Sequence, residues 1–133
     1  MLFEFYVTGT PVSSQTSNRA SLSAWKGRVR RAVEARWRDN HPPLTGPVEV
    51  NIVYYYDGGH ADADNLPKPI LDAMIGIVFA DDWQISDSIV KLRDVNGKIR
   101  VRGMSPVLAE AFCTAEEFIY VRVSPASGLE DQP

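Results

Sequence analysis

The chain is short of the residues that staple or anchor a fold. Cys113 is its only cysteine among 133 residues. One cysteine excludes an intrachain disulfide, and a single thiol of this kind reads as a small apolar filler. No apolar run approaches the roughly 18 residues that a bilayer span requires. No leader of basic, apolar and small residues opens the chain. The expectation is a soluble, cytoplasmic protein with no membrane partner. Internal repeats and low-complexity segments are absent. A basic excess is absent too: the net charge is −3 and the isoelectric point about 5.3. Taken alone, that balance argues against a nucleic-acid partner.

The average hides a segregation of charge. Acids gather in the middle of the chain and in its tail, and bases gather elsewhere. Hydrophobic residues make up 44% of the sequence, enough for one core without covalent staples. The organisation expected is a single domain over residues 1–123 and a polar, disordered tail over 124–133.

Phe3, Phe5 and Val7 alternate with Glu4, Tyr6 and Thr8, the pattern of a half-buried strand over residues 2–8. Residues 12–20 form a polar loop, either a plain connector or a flap that meets a DNA backbone through hydroxyls, amides and Arg19. Leu22, Trp25, Val29, Val33 and Trp37 recur at spacings of three and four, predicting a helix over 21–39 capped by Ser21 or Ser23. Between residues 26 and 38 its other faces hold six bases (Lys26, Arg28, Arg30, Arg31, Arg36 and Arg38) against the one acid Glu34. A charge run is usually a solvated face. Beside an aspartate-rich stretch, phosphate contacts are the stronger reading.

Residues 48–56 alternate as a second strand, with Tyr55 and Tyr56 read as packing residues. Asp57-Gly58-Gly59 loosens the chain after it. A third strand is expected over 86–95 with Ile89 and Val90 inward. Asn96-Gly97 is a hairpin signal, and residues 98–102 would return as a fourth strand. Lys91, Arg93, Lys98, Arg100 and Arg102 make that hairpin basic, a second candidate DNA surface. Ser105-Pro106 opens a short helix whose apolar residues Val107, Leu108, Ala111 and Phe112 pack on the sheet or on a partner subunit. Residues 118–123 form the last strand. The fold class expected is α+β: a two-layer mixed sheet with helices packed on one face.

The stretch from His60 to Lys91 organises the rest. It carries six aspartates, at 62, 64, 72, 81, 82 and 87. Asp62 and Asp64 are two apart, so in an extended segment their carboxylates point the same way and can share a hard cation such as Mg²⁺. Asn65 is the candidate cap of a helix that Pro67 and Pro69 enter. Leu66, Ile70, Ala73, Met74 and Ile77 make its core face, and Asp64, Lys68 and Asp72 stack on another. A residue before proline avoids the α region, so the helix start is expected to be irregular. If the segment after the helix packs antiparallel to it, Asp81 and Asp82 return toward Asp62 and Asp64. His60, alone in a glycine-rich loop, reads as a solvated side chain. The aspartates lack the spacing of an EF-hand loop.

The pattern Asp62-x-Asp64-Asn65-Leu66-x-Lys68-Pro69-x-Leu71-Asp72-Ala73-Met74, then Asp81-Asp82-x-Gln84-Ile85 and Lys91, resembles the RusA family of Holliday junction resolvases. So does the opening Phe5-x-Val7-x-Gly9-x-Pro11-Val12-Ser13. The similarity spans roughly residues 3–102. It implies a homodimeric crossover junction endodeoxyribonuclease that nicks opposed strands of four-way DNA junctions with Mg²⁺ or Mn²⁺. It also implies Asp62, Asp64 and Asp82 as metal-binding catalytic residues and Lys68 as the catalytic lysine, with Asp72 in the family's helix motif orienting a ligand. Asp81 is read from its place in the chain as a capping residue or a support for the metal ligands. Family members often carry a basic residue just before the first aspartate, where this chain has Ala61. Two alternatives are a structure-selective nuclease for other branched DNA and a catalytically silent junction-binding protein.

Overall fold

Alternation along four apolar segments dictates the architecture seen in the computed structural model, which describes residues 2–59, 63–97 and 100–126. β1 (Phe3–Thr8), β2 (Val48–Tyr56), β3 (Ile85–Asp94) and β4 (Phe118–Pro125) form one mixed sheet in the order β1-β4-β2-β3. β4 runs antiparallel to both β1 and β2. β3 is parallel to β2, with Val48 opposite Ile85. A parallel pair needs a crossover, here supplied by α2 (Pro67–Met74) and a short 3₁₀ turn, Asp82–Gln84.

One face of the sheet buries Phe5, Val50, Ile52, Ile119, Val121 and Val123 against α1 (Arg19–Arg36) and α2. Fully burying each such side chain stabilises the fold by about 1.5–3 kcal/mol. The expected stripe of α1 is present: Leu22, Trp25, Val29 and Val33 are buried, and Trp37 stands edge-on to Phe3 just past the helix end. The cap is Asn18, whose side-chain oxygen accepts the N–H of Ser21 at 3.0 Å. Asn18 thus satisfies a first-turn donor, and Ser21 and Ser23 fall inside the helix rather than before it.

The α+β class and mixed sheet are as expected, but the helices do not all share one face. α3 (Pro106–Phe112) packs on the other side, where Leu108 and Ala111 meet Tyr55, Phe118 and Tyr120. Ser105 caps α3, and its hydroxyl also donates to Glu4 of β1, as does that of Tyr120. Burial, then the Glu4 bond, pushes the Tyr120 phenol up to about 12.

Three further expectations change. β3 is an edge strand, and Ile89 is exposed while Val90 and Leu92 face the core. The described part of the returning segment, 100–102, forms no strand; Lys98 and Ile99 lie outside the described residues. β4 runs to Pro125, where Ala126 N–H donates to Pro47, so the chain stays paired past 123. Residues 127–133 of the expected tail also lie outside the described residues.

Candidate active site

The ends of β1 and β2 lie level with each other on either side of β4, because Thr8 and Tyr55 both pair with Phe118. The loops that follow these strands are joined there. Glu117, just before β4, accepts hydrogen bonds from the Asp57 backbone N–H at 2.9 Å and from the Tyr54 and Thr10 hydroxyls, each at 2.8 Å. The Asp57 N–H, with the two hydroxyls, holds the Glu117 carboxyl below its ordinary value of 4.5 although partial burial opposes this. The same burial and bonding push the Tyr54 phenol well above 10. Asp94, at the end of β3, accepts from Gly58 and Asn96, and the Asn96 amide donates to Asp57. The root of the acidic loop is therefore clamped from two neighbouring strands. Its far end is tied down by the Ser14 N–H, which donates to the Asn65 carbonyl at 3.1 Å.

Asp64 is exposed on this loop, and Lys68 is exposed on the first turn of α2. His60 and Asp62 lie outside the described residues. α2 starts without a side-chain cap: the expected cap Asn65 does not cap it, and Leu66 is already helical although a residue before proline ordinarily avoids the α region, while Pro67 enters the first turn as expected. Asp72 sits between two ammonium groups, Lys68 at 3.5 Å and Lys26 at 3.4 Å. Lys26, read from the sequence as a phosphate contact, instead bridges α1 to α2.

Asp82 stands elsewhere. It opens the 3₁₀ turn that leads into Ile85, opposite the first residue of β2. Buried Gln84 fixes this turn: its amide donates to the carbonyls of Leu44 and Gly46, and its oxygen accepts from Ala80 and Asp81. Asp81 caps the turn through the Asp82 N–H. Asp64 lies in the loop between the end of β2 and the start of α2, and Asp82 stands beside the first residue of β2. A nine-residue strand spans roughly 26 Å at about 3.3 Å per residue. Parallel pairing makes β3 start level with Val48, so the turn with Asp81 and Asp82 stands at the end of β2 opposite to the one from which the loop with Asp64 leaves. Among the described residues, no three His, Cys, Asp or Glu side chains come together to hold a metal.

The bases divide by task. The Arg28 guanidinium lies over Trp25 and donates to the Thr8 carbonyl. Arg30 pairs with Glu34 at 3.3 Å, and Arg36 with Glu110 of α3. Arg19, Arg31, Lys91, Arg93 and Arg100 are exposed. Lys98 lies outside the described residues. Lys91 and Arg93 project on the same face of β3 as Ile89, the α3 side, where α3 packs on β1, β4 and Tyr55 of β2 but not on β3. No helix among the described residues is long and apolar enough to cross a membrane.

Glu117 and Trp83 carried no signal in the sequence. A carboxylate before a strand, or an indole after two aspartates, has no periodicity to betray it.

A search of the curated proteins finds no match. The family model for endodeoxyribonuclease RusA matches residues 5–102, from β1 past β3. That span is most of the chain and includes both aspartate pairs and Lys68, so this protein belongs to the RusA endodeoxyribonuclease family.

Proposed function

We propose that this chain is a divalent-metal-dependent endonuclease that nicks opposed strands of four-way DNA junctions as a homodimer. Family membership over residues 5–102 carries the reading, with the acidic motif on a loop clamped at the end of β2 supporting it.

Carboxylate oxygens suit a hard cation such as Mg²⁺ or Mn²⁺. Asp62 and Asp64 are the pair that would hold it. Asp82 of the same protomer stands at the end of β2 opposite to the root of the loop that carries Asp62 and Asp64, which favours a site that draws Asp82 from the second protomer. A C₂ dimer supplies two such sites related by a two-fold axis, the symmetry of two opposed nicks. When bound, the cation supplies an acidified water and absorbs charge on the phosphate.

The remaining work falls to the protein's own residues. Lys68, whose exposed ammonium group pairs with Asp72 at 3.5 Å, stabilises the scissile phosphate or the departing oxygen. Arg19, Arg31, Lys91, Arg93, Lys98 and Arg100 contact flanking phosphates and set the register on the junction.

The test is cleavage of four-way, three-way, flap and linear DNA with Mg²⁺, Mn²⁺ or Ca²⁺. Paired nicks in the four-way substrate, dependent on Mg²⁺ or Mn²⁺, are expected. Equal cleavage of every branched substrate would favour a broader structure-selective nuclease. Junction binding without cleavage in any metal would leave a silent binding protein.

A further inference from the structure

We infer that Trp83 is a stacking platform for an unpaired nucleobase at the branch point, beside the phosphate to be cut. The inference rests on the nuclease reading and adds a contact that the acidic motif does not contain.

Trp83 is 75% exposed, the highest value for a large apolar side chain among the described residues. An isolated exposed apolar residue needs no explanation, but this one has a specific setting. Its chain neighbour is Asp82. The turn that carries it is rigid, because Gln84 is buried and engages four backbone groups while Asp81 caps the turn. The indole forms one wall of a notch of about 390 Å³ whose other walls include Pro42, Pro43, Leu44 and Ala80. A flat ring held by a fixed backbone loses little entropy on binding a flat partner.

Charge selects the occupant. Asp81 and Asp82, both exposed, immediately precede Trp83 in the chain. They repel a phosphodiester, whereas a nucleobase is the uncharged part of DNA and presents ring nitrogens and exocyclic amines. A second copy of this chain seated ring to ring would set the two acidic pairs against each other, which is unfavourable. Bases at the crossing point of a branched junction lack a stacked neighbour on one side, and aromatic side chains accept any base by stacking.

Trp83→Ala and Trp83→Phe are compared with the unmodified protein for cleavage and binding of a four-way junction and a linear duplex of matched sequence. Abasic nucleotides are then placed one at a time around the branch point. The side chain is exposed, so both variants should melt with the unmodified protein. Trp83→Ala should lose about ten- to hundredfold in junction kcat/KM, with duplex binding unchanged and Trp83→Phe close to the unmodified protein. One abasic position should weaken the unmodified protein and leave Trp83→Ala indifferent. Equal junction cleavage by Trp83→Ala, or an abasic scan that affects both proteins alike, overturns the inference. So does a changed sedimentation coefficient of DNA-free Trp83→Ala, which would give the face to a second copy. If the unmodified protein cuts no DNA, the nuclease reading fails first, a result distinct from a Trp83→Ala that cuts normally.

Discussion

The carboxylate of Glu117 holds the backbone N–H of Asp57 at 2.9 Å, so one side chain ahead of β4 fixes the point where the acidic loop leaves β2. Glu117→Ala strips partners from that N–H and from the Tyr54 and Thr10 hydroxyls, and should lower stability by about 1–3 kcal/mol. The pH dependence has a defined sign. Glu117 has a lowered pKa in the fold, so its contribution is present above about 4.5 and is lost as pH falls through the folded value. Urea midpoints from pH 3 to 7 should therefore converge for the two proteins at the acid end. Parallel curves would remove Glu117 from this role.

Arg28 and Arg31 lie on one helix and should fail in different ways. Arg28→Ala frees the Thr8 carbonyl and uncovers Trp25, and should cost about 1 kcal/mol of stability. Arg31 makes no ion pair to a described residue. Arg31→Ala should leave the melting temperature unchanged and flatten the dependence of log Kd for DNA on log salt by about 0.9. A salt slope equal to that of the unmodified protein would place Arg31 off the DNA.

The sequence announced those elements whose pattern has one physical reading. β1 and β2 alternate because one face is buried, and the stripe of α1 recurs because one side packs. What it could not announce is lateral position in the sheet. Ile89 looks like a core residue, yet β3 is an edge strand and α3 reaches no further than Tyr55 of β2, leaving that face of β3 open. Asn96-Gly97 does turn, with both N–H groups bonded to Asp94, but residues 100–102 do not pair beyond it. The aspartate motif was legible as chemistry, and its division between the two ends of β2 was not. That division follows from the parallel pairing of β2 with β3, which no local pattern encodes.

Metal linkage gives a test that does not require DNA. Carboxylates gathered for a cation repel one another without it, so a cation binding only the folded state stabilises that state. At a hundredfold excess over its Kd, Mg²⁺ should add about 2.7 kcal/mol and raise the melting temperature. Asp64→Asn should melt like the metal-free protein, gain less from Mg²⁺, and lose nicking. Junction cleavage by Asp64→Asn at the unmodified rate would remove Asp64 from the catalytic set.

The placement of the Asp82 turn and the root of the Asp64 loop at opposite ends of β2 leads to a prediction about mixtures. If each cation site takes Asp64 from one protomer and Asp82 from the other, Asp64→Asn and Asp82→Asn are each inactive alone. In a mixed dimer, one site collects both substitutions and the other collects none. Nicking should then return when the variants are mixed and allowed to exchange subunits, while paired cuts in one junction stay rare because only one site per mixed dimer is whole. A site built within one chain gives the opposite result, since every site in the mixed dimer carries one substitution and no nicking returns. Sedimentation of the mixture confirms that exchange took place. Gel analysis of nicked and doubly cut junctions then separates the two arrangements without any measurement of distance.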